Sequence, residues 1–573
     1  MSPIPITLAH RPQTLLHQVR WLTEHMPEST AVILIDAQGE TRVSYRAFFT
    51  QAARYAHALE TSGVRPQDLI VSVLQHGESV LYSFWGAMLL GAIPSIFPFL
   101  TEKLDHDRYF DSVRQLIAHE EVRAVITYEA LEKPLRDQLS GLPSLMAILN
   151  EATLPLGGEP SVYLERSLPD ADTIAFLQHS SGTTGLQKGV MLSHRAVVNQ
   201  IASYSHALQL QSNDVIVSWL PLYHDMGLIA AFVLPILQGI PLVLMSPFYW
   251  VREPQHLLKA ITHHRGTLCW LPNFAYNFMA TRIRDQALNG IDLSSLRGVI
   301  NCSEPVYAES QRGFATRFAP YQLREEALMT CYAMAENTFA VTQSAVGAAP
   351  RVDRVDRARL MNERWAMPVP AESDLPSLEF VSCGVAIPNC TLRIVDKQNH
   401  PLPERQVGEI ALRSDSMLSG YYHRDDLTAS ALIDGWYLTG DMGYLADDEL
   451  YITGRQKDLI IVGGKNVYPQ DIENLLNTLP DIHPGRVVAF GVVNANLGTE
   501  DIAVVVEVDR AALMDDDEER TALTRTIRSV IAQNTDVTAR YVEIVPAQWL
   551  IKTSSGKIAR AANREKFLAM AEL

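Results

Sequence analysis

Segments with helical and strand-like periodicity alternate along most of this chain, and no other feature constrains its fold as strongly. "YRAFFTQAARYAHALETSG" (45–63) carries apolar residues at helical spacing, stops at a glycine, and is followed by the strand-like "LIVSVLQ". "SVRQLIAHEEV" leads into "RAVITY", "PQHLLKAITHHRG" into "TLCWLP", and "SSLRGVINCSEPV" places another apolar run before a polar turn. Such alternation predicts an α/β architecture with largely parallel, helix-flanked sheets, whose ligands bind beyond the carboxyl ends of the strands.

At 573 residues the chain is too long for one core and calls for two or more domains. Past residue 380 the texture shifts to short strands, a small β-barrel-like part, with "YLTGDMGYLADDELYITGR" reading as a hairpin over an Asp-Asp turn. After Gly454 a fresh series of helices and strands begins, long enough for a small α+β core. The expected division is a large domain over 1–454 and a small domain over 455–573. Residues 344–378 sustain no apolar period, which predicts a long surface excursion of functional character.

Acidic residues outnumber basic ones 65 to 48, for a formal charge of -17, and a field of that sign argues against nucleic-acid binding. The five cysteines form no CxxC pair, so neither a zinc knuckle nor a disulfide framework is indicated and a reducing compartment fits. The first residues lack the basic start and apolar core of a signal peptide. The apolar stretch 81–100 is interrupted by Gly91 and two prolines and reads as a buried helix running into a strand. A cytoplasmic protein without an integral membrane segment is expected.

"HSSGTTGLQKGV" (179–190) has the composition of a phosphate cradle. Gly182 and Gly185 let the backbone fold around an oxyanion, Ser180, Ser181, Thr183 and Thr184 supply hydroxyls, and Lys188 supplies charge. A Walker A loop would end in Gly-Lys-Ser/Thr and open directly into a helix. Here Lys188 lies between Gln187 and Gly189, strand-like segments flank the loop on both sides, and the helix starts only near His194 with Ser193 as its N-cap. Taken alone, the loop is also compatible with a flexible surface turn.

Further along stand "WLPLYHDMG" (219–227), "NCSEP" (301–305), "YAMAENT" (332–338), "YLTGDMG" (437–443), "GRQKDLIIVGGKNVYPQDIE" (454–473) and "KTSSGKIAR" (552–560). In this order, with the glycine loop, they resemble the signatures of the adenylate-forming superfamily over roughly residues 30–570. The resemblance implies that a carboxylate and ATP give an acyl-adenylate and pyrophosphate. Charge repulsion opposes attack of an anion on the α-phosphate, so electrostatic stabilisation must dominate. By the family pattern Thr184 and Glu336 hold Mg2+, which favours hard oxygen ligands; out of context Glu336 would read as a capping or surface carboxylate. Asn301, Cys302, Ser303 and Glu304 line the edge of adenine. Cys331, Tyr332, Ala333, Met334 and Ala335 form a second nucleotide segment, with Tyr332 stacked on the base and the two cysteines read as packing residues. Asp441 accepts from the ribose hydroxyls with help from Arg455. Lys557 reaches from the small domain to bridge carboxylate and α-phosphate, as a mobile point charge can, and Lys457 is the hinge.

On the acyl side the pattern assigns Tyr223, His224 and Asp225 to the carboxylate, with a structural histidine bonded to Asp225 as the alternative for His224. Asn273 and Phe274, in "CWLPNFAYNFM", belong to an apolar wall that suits an uncharged acyl chain. The closest resemblance is to fatty acyl-AMP ligases, carried by 218–250, "PNFAYN", "VSCG" and "YPQDIE", with 344–378 where that group has an insertion. This implies transfer to the phosphopantetheine thiol of an acyl carrier protein, priming polyketide or peptide assembly. A medium- or long-chain acyl-CoA ligase is the second reading, and a nucleotide-binding scaffold the third.

Overall fold

The computed structural model describes residues 5–571 except 102–105, 156, 158, 181–187, 463–464, 478, 495–498, 509–513, 515, 536 and 554–555. Ser181, Gly182, Thr183, Thr184 and Gly185 therefore lie outside the described residues.

The α/β expectation holds. A nine-stranded sheet runs in the order Val385–Ala386, Ala340–Gln343, Leu328–Ala333, Gly298–Asn301, Leu268–Leu271, Ile216–Ser218, Leu242–Met245, Thr30–Asp36 and Gly39–Ser44. The strands from Leu328–Ala333 to Thr30–Asp36 pair in parallel. A second sheet, Ile93–Ile96, Leu69–Val73, Ala124–Thr127 and Ala147–Asn150, is parallel throughout. The apolar stretch 81–100 divides as its glycine suggests. Helix Glu78–Leu90 ends at Gly91 in the left-handed region (φ 87°) and strand Ile93–Ile96 follows. No described helix is long and apolar enough to cross a membrane.

Between the sheets, Phe48, Phe49, Phe84, Trp85 and Phe232 interlock edge-on or tilted, with centroids 5.1–6.4 Å apart. All five are buried, and rings of this size contribute roughly 1.5–3 kcal/mol each on burial. Strands Ile174–Ser180 and Lys188–Ser193 pair antiparallel around the glycine loop, and Ser193 caps helix His194–Ala207 through Ala196 N–H.

The short strands past 380 form a curled sheet of Cys390–Val395, Gly408–Ser414, Trp436–Ala446, Leu432–Ile433 and Glu449–Arg455. Its hairpin turns at Asp447 and Asp448, both at positive φ. Residues 344–378 are more ordered than a surface excursion. Val352–Asp356 pairs antiparallel with Ser377–Val381, and helix Arg357–Glu363 lies between them in sequence. Val355, Leu360 and Ala366 bury against Met442, Tyr444 and Tyr451 of the hairpin. The small C-terminal domain packs helices Pro469–Asn477, Asp517–Asn534 and Arg560–Met570 around strands Ile482–Asn494, Thr499–Val508 and Ala539–Pro546, with cores of its own.

Candidate active site

Strand Leu328–Ala333 ends at Tyr332 and Ala333; Met334 is extended, and a tight turn over Ala335–Asn337 presents Glu336. The turn is held from beneath. Asn337 Nδ2 donates to Ala340 O at 2.7 Å, and Thr338 Oγ1 donates to Ser416 O at 2.7 Å while taking a positive φ of 62°. Glu336 O accepts from Leu418 N–H, and its carboxylate accepts from the Tyr421 hydroxyl at 2.9 Å. Lys188 Nζ stands 4.7 Å from the centroid of the Tyr421 ring. Lys188 and Glu336 are thereby gathered at one tyrosine, and the strand carrying Ser180 ends beside Lys188, its register partner.

Opposite them, Asp441 and Arg455 face each other across the hairpin. Asp441 Oδ1 is 3.1 Å from Arg455 Nε, and Asp441 Oδ2 accepts from the Tyr332 hydroxyl at 2.6 Å. The preceding Gly440 takes a left-handed φ of 71°, and its N–H donates to Glu409. Burial and the adjacent Asp441 charge push the Tyr332 hydroxyl well above the usual tyrosine range, so it remains a donor.

Asn301 closes strand Gly298–Asn301, and Cys302 and Ser303 follow, Ser303 at positive φ (69°). Asn301 Nδ2 donates to Asn273 Oδ1 at 3.0 Å, which also receives Tyr307 N–H, while Asn273 Nδ2 donates to Ser310. Glu304 accepts the Phe274 N–H at 2.9 Å, the start of helix Asn273–Arg282. The structure thus places Asn273 in a polar clasp beside Asn301 and not in an apolar wall. Asn301 Oδ1 is buried with no partner among the described residues. Cys302 and Cys331 are buried, and burial raises the Cys331 thiol well above its ordinary range, which suits packing and not nucleophilic attack.

Tyr223, His224 and Asp225 enter a π-helical stretch, Met226–Val233. Gly227 is required there: a Cβ would lie 2.1 Å from Pro221 O. Asp225 Oδ1 accepts from Met226 N–H at 2.7 Å, so its carboxylate serves the helix start and not the His224 ring. His224 Nε2 is shut off from solvent without a partner among the described residues, and burial together with Lys557 lowers its pKa to about 3. The imidazole is neutral throughout the working range. Trp219 and Trp250 stack at 3.7 Å, with Phe274 edge-on to both at 6.2 Å.

Lys557 comes from the small domain, on a turn closed by Thr553 N–H donating to Lys557 O at 2.7 Å, just before helix Arg560–Met570. Its ammonium is near enough to act on three large-domain groups, depressing His224 and opposing the upward push of burial on Asp225 and Glu304. Desolvation, and then the like charges of Arg455 and Lys188, lower the Lys457 pKa against the pull of Asp458 and Asp441. Tyr307 reaches back to Asn474, Glu473 and Asp471 of the small domain.

A set of residues at the loop's base was not singled out from the sequence. His179 Nδ1 is 2.8 Å from Ser95 Oγ, and His179 Nε2 is 2.8 Å from Glu120 Oε2, all three buried. Glu120 Oε1 also lies 2.7 Å from where a Cβ on Gly189 would sit. His179 and Gly189 are register partners where the two strands leave for the loop. Glu120 and Ser95 come from segments with no motif, so only His179, flanking the glycine loop, carried a signal. Tyr421, the partner of Glu336, likewise lay outside every signature.

The sequence pattern of the AMP-binding enzyme family matches residues 19–422, and that of the AMP-binding enzyme C-terminal domain matches residues 464–564. The medium-chain-fatty-acid–[acyl-carrier-protein] ligase JamA of Moorena producens is 35% identical over 70% of this chain and 68% of its own. The long-chain-fatty-acid–AMP ligase FadD26 of Mycobacterium marinum is 30% identical over 98% of both chains. A solved structure from studies of the fatty acyl-adenylate ligases of E. coli and L. pneumophila superposes with a TM-score of 0.88 at 29% identity, covering 98% of this chain and 99% of that one.

Proposed function

Because this chain belongs to the AMP-binding enzyme family and is an AMP-forming acyl ligase, we propose that it activates a fatty or other apolar acid with ATP and transfers the acyl group to the phosphopantetheine thiol of an acyl carrier protein. We assign it to the cytoplasm, supplying polyketide or peptide assembly.

In the first half-reaction a carboxylate oxygen bonds to the α-phosphorus and the bond to pyrophosphate breaks. Tyr332, Asp441 and Arg455 orient the nucleoside, the glycine loop and Lys188 hold the phosphates, and His224 and Tyr223 position the carboxylate. Lys557 offsets the negative charge that builds between the two anions. Mg2+ fits the hard carboxylate oxygens of Glu336, one of them oriented by Tyr421; with Thr184 that carboxylate would hold the ion, which would neutralise phosphate charge. In the second half-reaction the thiol attacks the acyl carbonyl and AMP departs.

One arrangement supports this reading: Asp441 accepts from Tyr332 at 2.6 Å and faces Arg455 at 3.1 Å, while Glu336 and Lys188 meet at the Tyr421 side chain. The choice of acceptor is supported by the ordered segment 344–378. Arg357, which opens its helix, acts on Asp471, and Arg364 at its end acts on Tyr468, both of the small domain. The name of JamA, an acyl-carrier-protein ligase, points the same way. Purified enzyme is offered ATP, a panel of carboxylic acids, and either CoA or holo-carrier protein. Thioester should form on the carrier, and Lys557→Ala should abolish acyl-adenylate formation while ATP still binds. Efficient acyl-CoA formation would overturn the acceptor, and unchanged Lys557→Ala turnover would overturn the site.

A further inference from the structure

Outside the cleft, three side chains from a strand and a helix bring nitrogen and oxygen ligands together. Glu40 lies on the edge strand Gly39–Ser44, and His263 and His264 form the last turn of helix Gln255–His264. His264 Nε2 is 2.9 Å from Glu40 Oε1, in a side chain only 5% exposed. The His263 ring, open to solvent, packs edge-on against that of His264 at 4.7 Å. One ligand atom from each residue lies within 4.8 Å of the other two. We propose that Glu40, His263 and His264 bind a transition-metal dication of the zinc class.

Two imidazole nitrogens and one carboxylate oxygen form a borderline ligand set that suits zinc, whereas calcium or magnesium would call for oxygens throughout. Three ligands about 2.1 Å from a tetrahedral ion lie roughly 3.4 Å from one another. The Glu40–His264 pair is already inside that span, so only the exposed His263 ring has to turn. The site sits where the last carbonyls of the helix favour a cation. The neighbouring Arg265 is turned to Asp292 at 3.2 Å and does not compete for Glu40. Water would complete the coordination.

The helix leads through Gly266 into the amino end of strand Leu268–Leu271, whereas Asn273 and Phe274 of the candidate site follow its carboxyl end. The metal would tie the sheet's outermost strand to a helix at the end remote from the chemistry, protecting an exposed edge.

Full-length protein stripped of metal by a chelator and kept in excess Mg2+ is titrated with zinc chloride by calorimetry. One equivalent should bind, at least tenfold more weakly in Glu40→Gln, His263→Ala or His264→Ala. Zinc should raise the unfolding midpoint of the wild type and not of the triple variant, whose fold circular dichroism checks. Cobalt(II) in place of zinc should give the visible absorption of a low-coordinate site. No uptake by the wild type, or equal uptake by the triple variant, overturns the proposal and leaves Glu40 and His264 a surface ion pair.

Discussion

Glu120→Ala tests whether the base of the phosphate loop is held from behind. Glu120 and His179 expose only 3% and 2% of their side chains and meet at 2.8 Å, with Ser95 on the other ring nitrogen. Removing the carboxylate leaves a buried imidazole nitrogen unpartnered, costing about 1–3 kcal/mol, and leaves a small cavity beside Gly189, for a total of about 3 kcal/mol. Much of that loss should fall on the strand ends carrying His179 and Gly189, because Glu120 touches both. ATP binding must then restore the loop's geometry, and the apparent affinity falls by the fraction of molecules still competent. We expect the KM for ATP to rise about tenfold, equivalent to about 1.4 kcal/mol. The turnover number at saturating ATP should change far less. Glu120→Gln, which keeps an oxygen acceptor, should recover part of the affinity. The assays are urea unfolding and pyrophosphate release at varied ATP. A stability loss of the expected size with an unaltered KM would refute the link to the loop and leave the clasp a core contact.

Two other outcomes follow from the same geometry. Asp441→Asn removes the charge facing Arg455 at 3.1 Å and weakens the bond from Tyr332, so ATP affinity should fall about tenfold to a hundredfold, read by calorimetric titration, with the unfolding midpoint little changed. His194 is 3% exposed and its Nδ1 lacks a partner among the described residues, and burial lowers its pKa from 6.5 to about 4. The folded state therefore binds this proton less readily than the unfolded chain. Its contribution is present above pH 6.5 and lost as pH falls toward 4, about 1.4 kcal/mol per unit and so about 2 kcal/mol by pH 5. Urea unfolding at pH 7.5 and 5.0 should show that slope shrinking in His194→Gln, and an identical slope in both proteins would refute it.

The hairpin around the glycine loop was legible because its signals are local: apolar runs on both sides and a serine cap at Ser193. Segment 344–378 was not legible. Its apolar residues are too sparse to show a period, and Val355 and Leu360 find their partners in Met442 and Tyr444, some eighty residues further on. A two-stranded sheet closed by such contacts leaves no pattern in a short window. The candidate site divides in the same way. Asp441, Glu336 and Lys557 announce themselves through short motifs, whereas Glu120 and Ser95 are ordinary residues until the fold sets them around His179. His224 shows the limit of neighbour reasoning, since the adjacent Asp225 was an obvious partner and instead caps the following N–H.

The charge distribution explains how a chain of net charge -17 can serve as a polyphosphate enzyme. Lys188, Arg455 and Lys457 lie close enough that the first two help to depress the pKa of the third. Asp441 relieves Arg455 directly, and Tyr421 gives Lys188 an aromatic face. Lys557 arrives separately on the small domain, opposite Asp225 and Glu304. A polyphosphate entering this cluster relieves repulsion already present in the protein, so part of its binding energy is built in before any hydrogen bond forms.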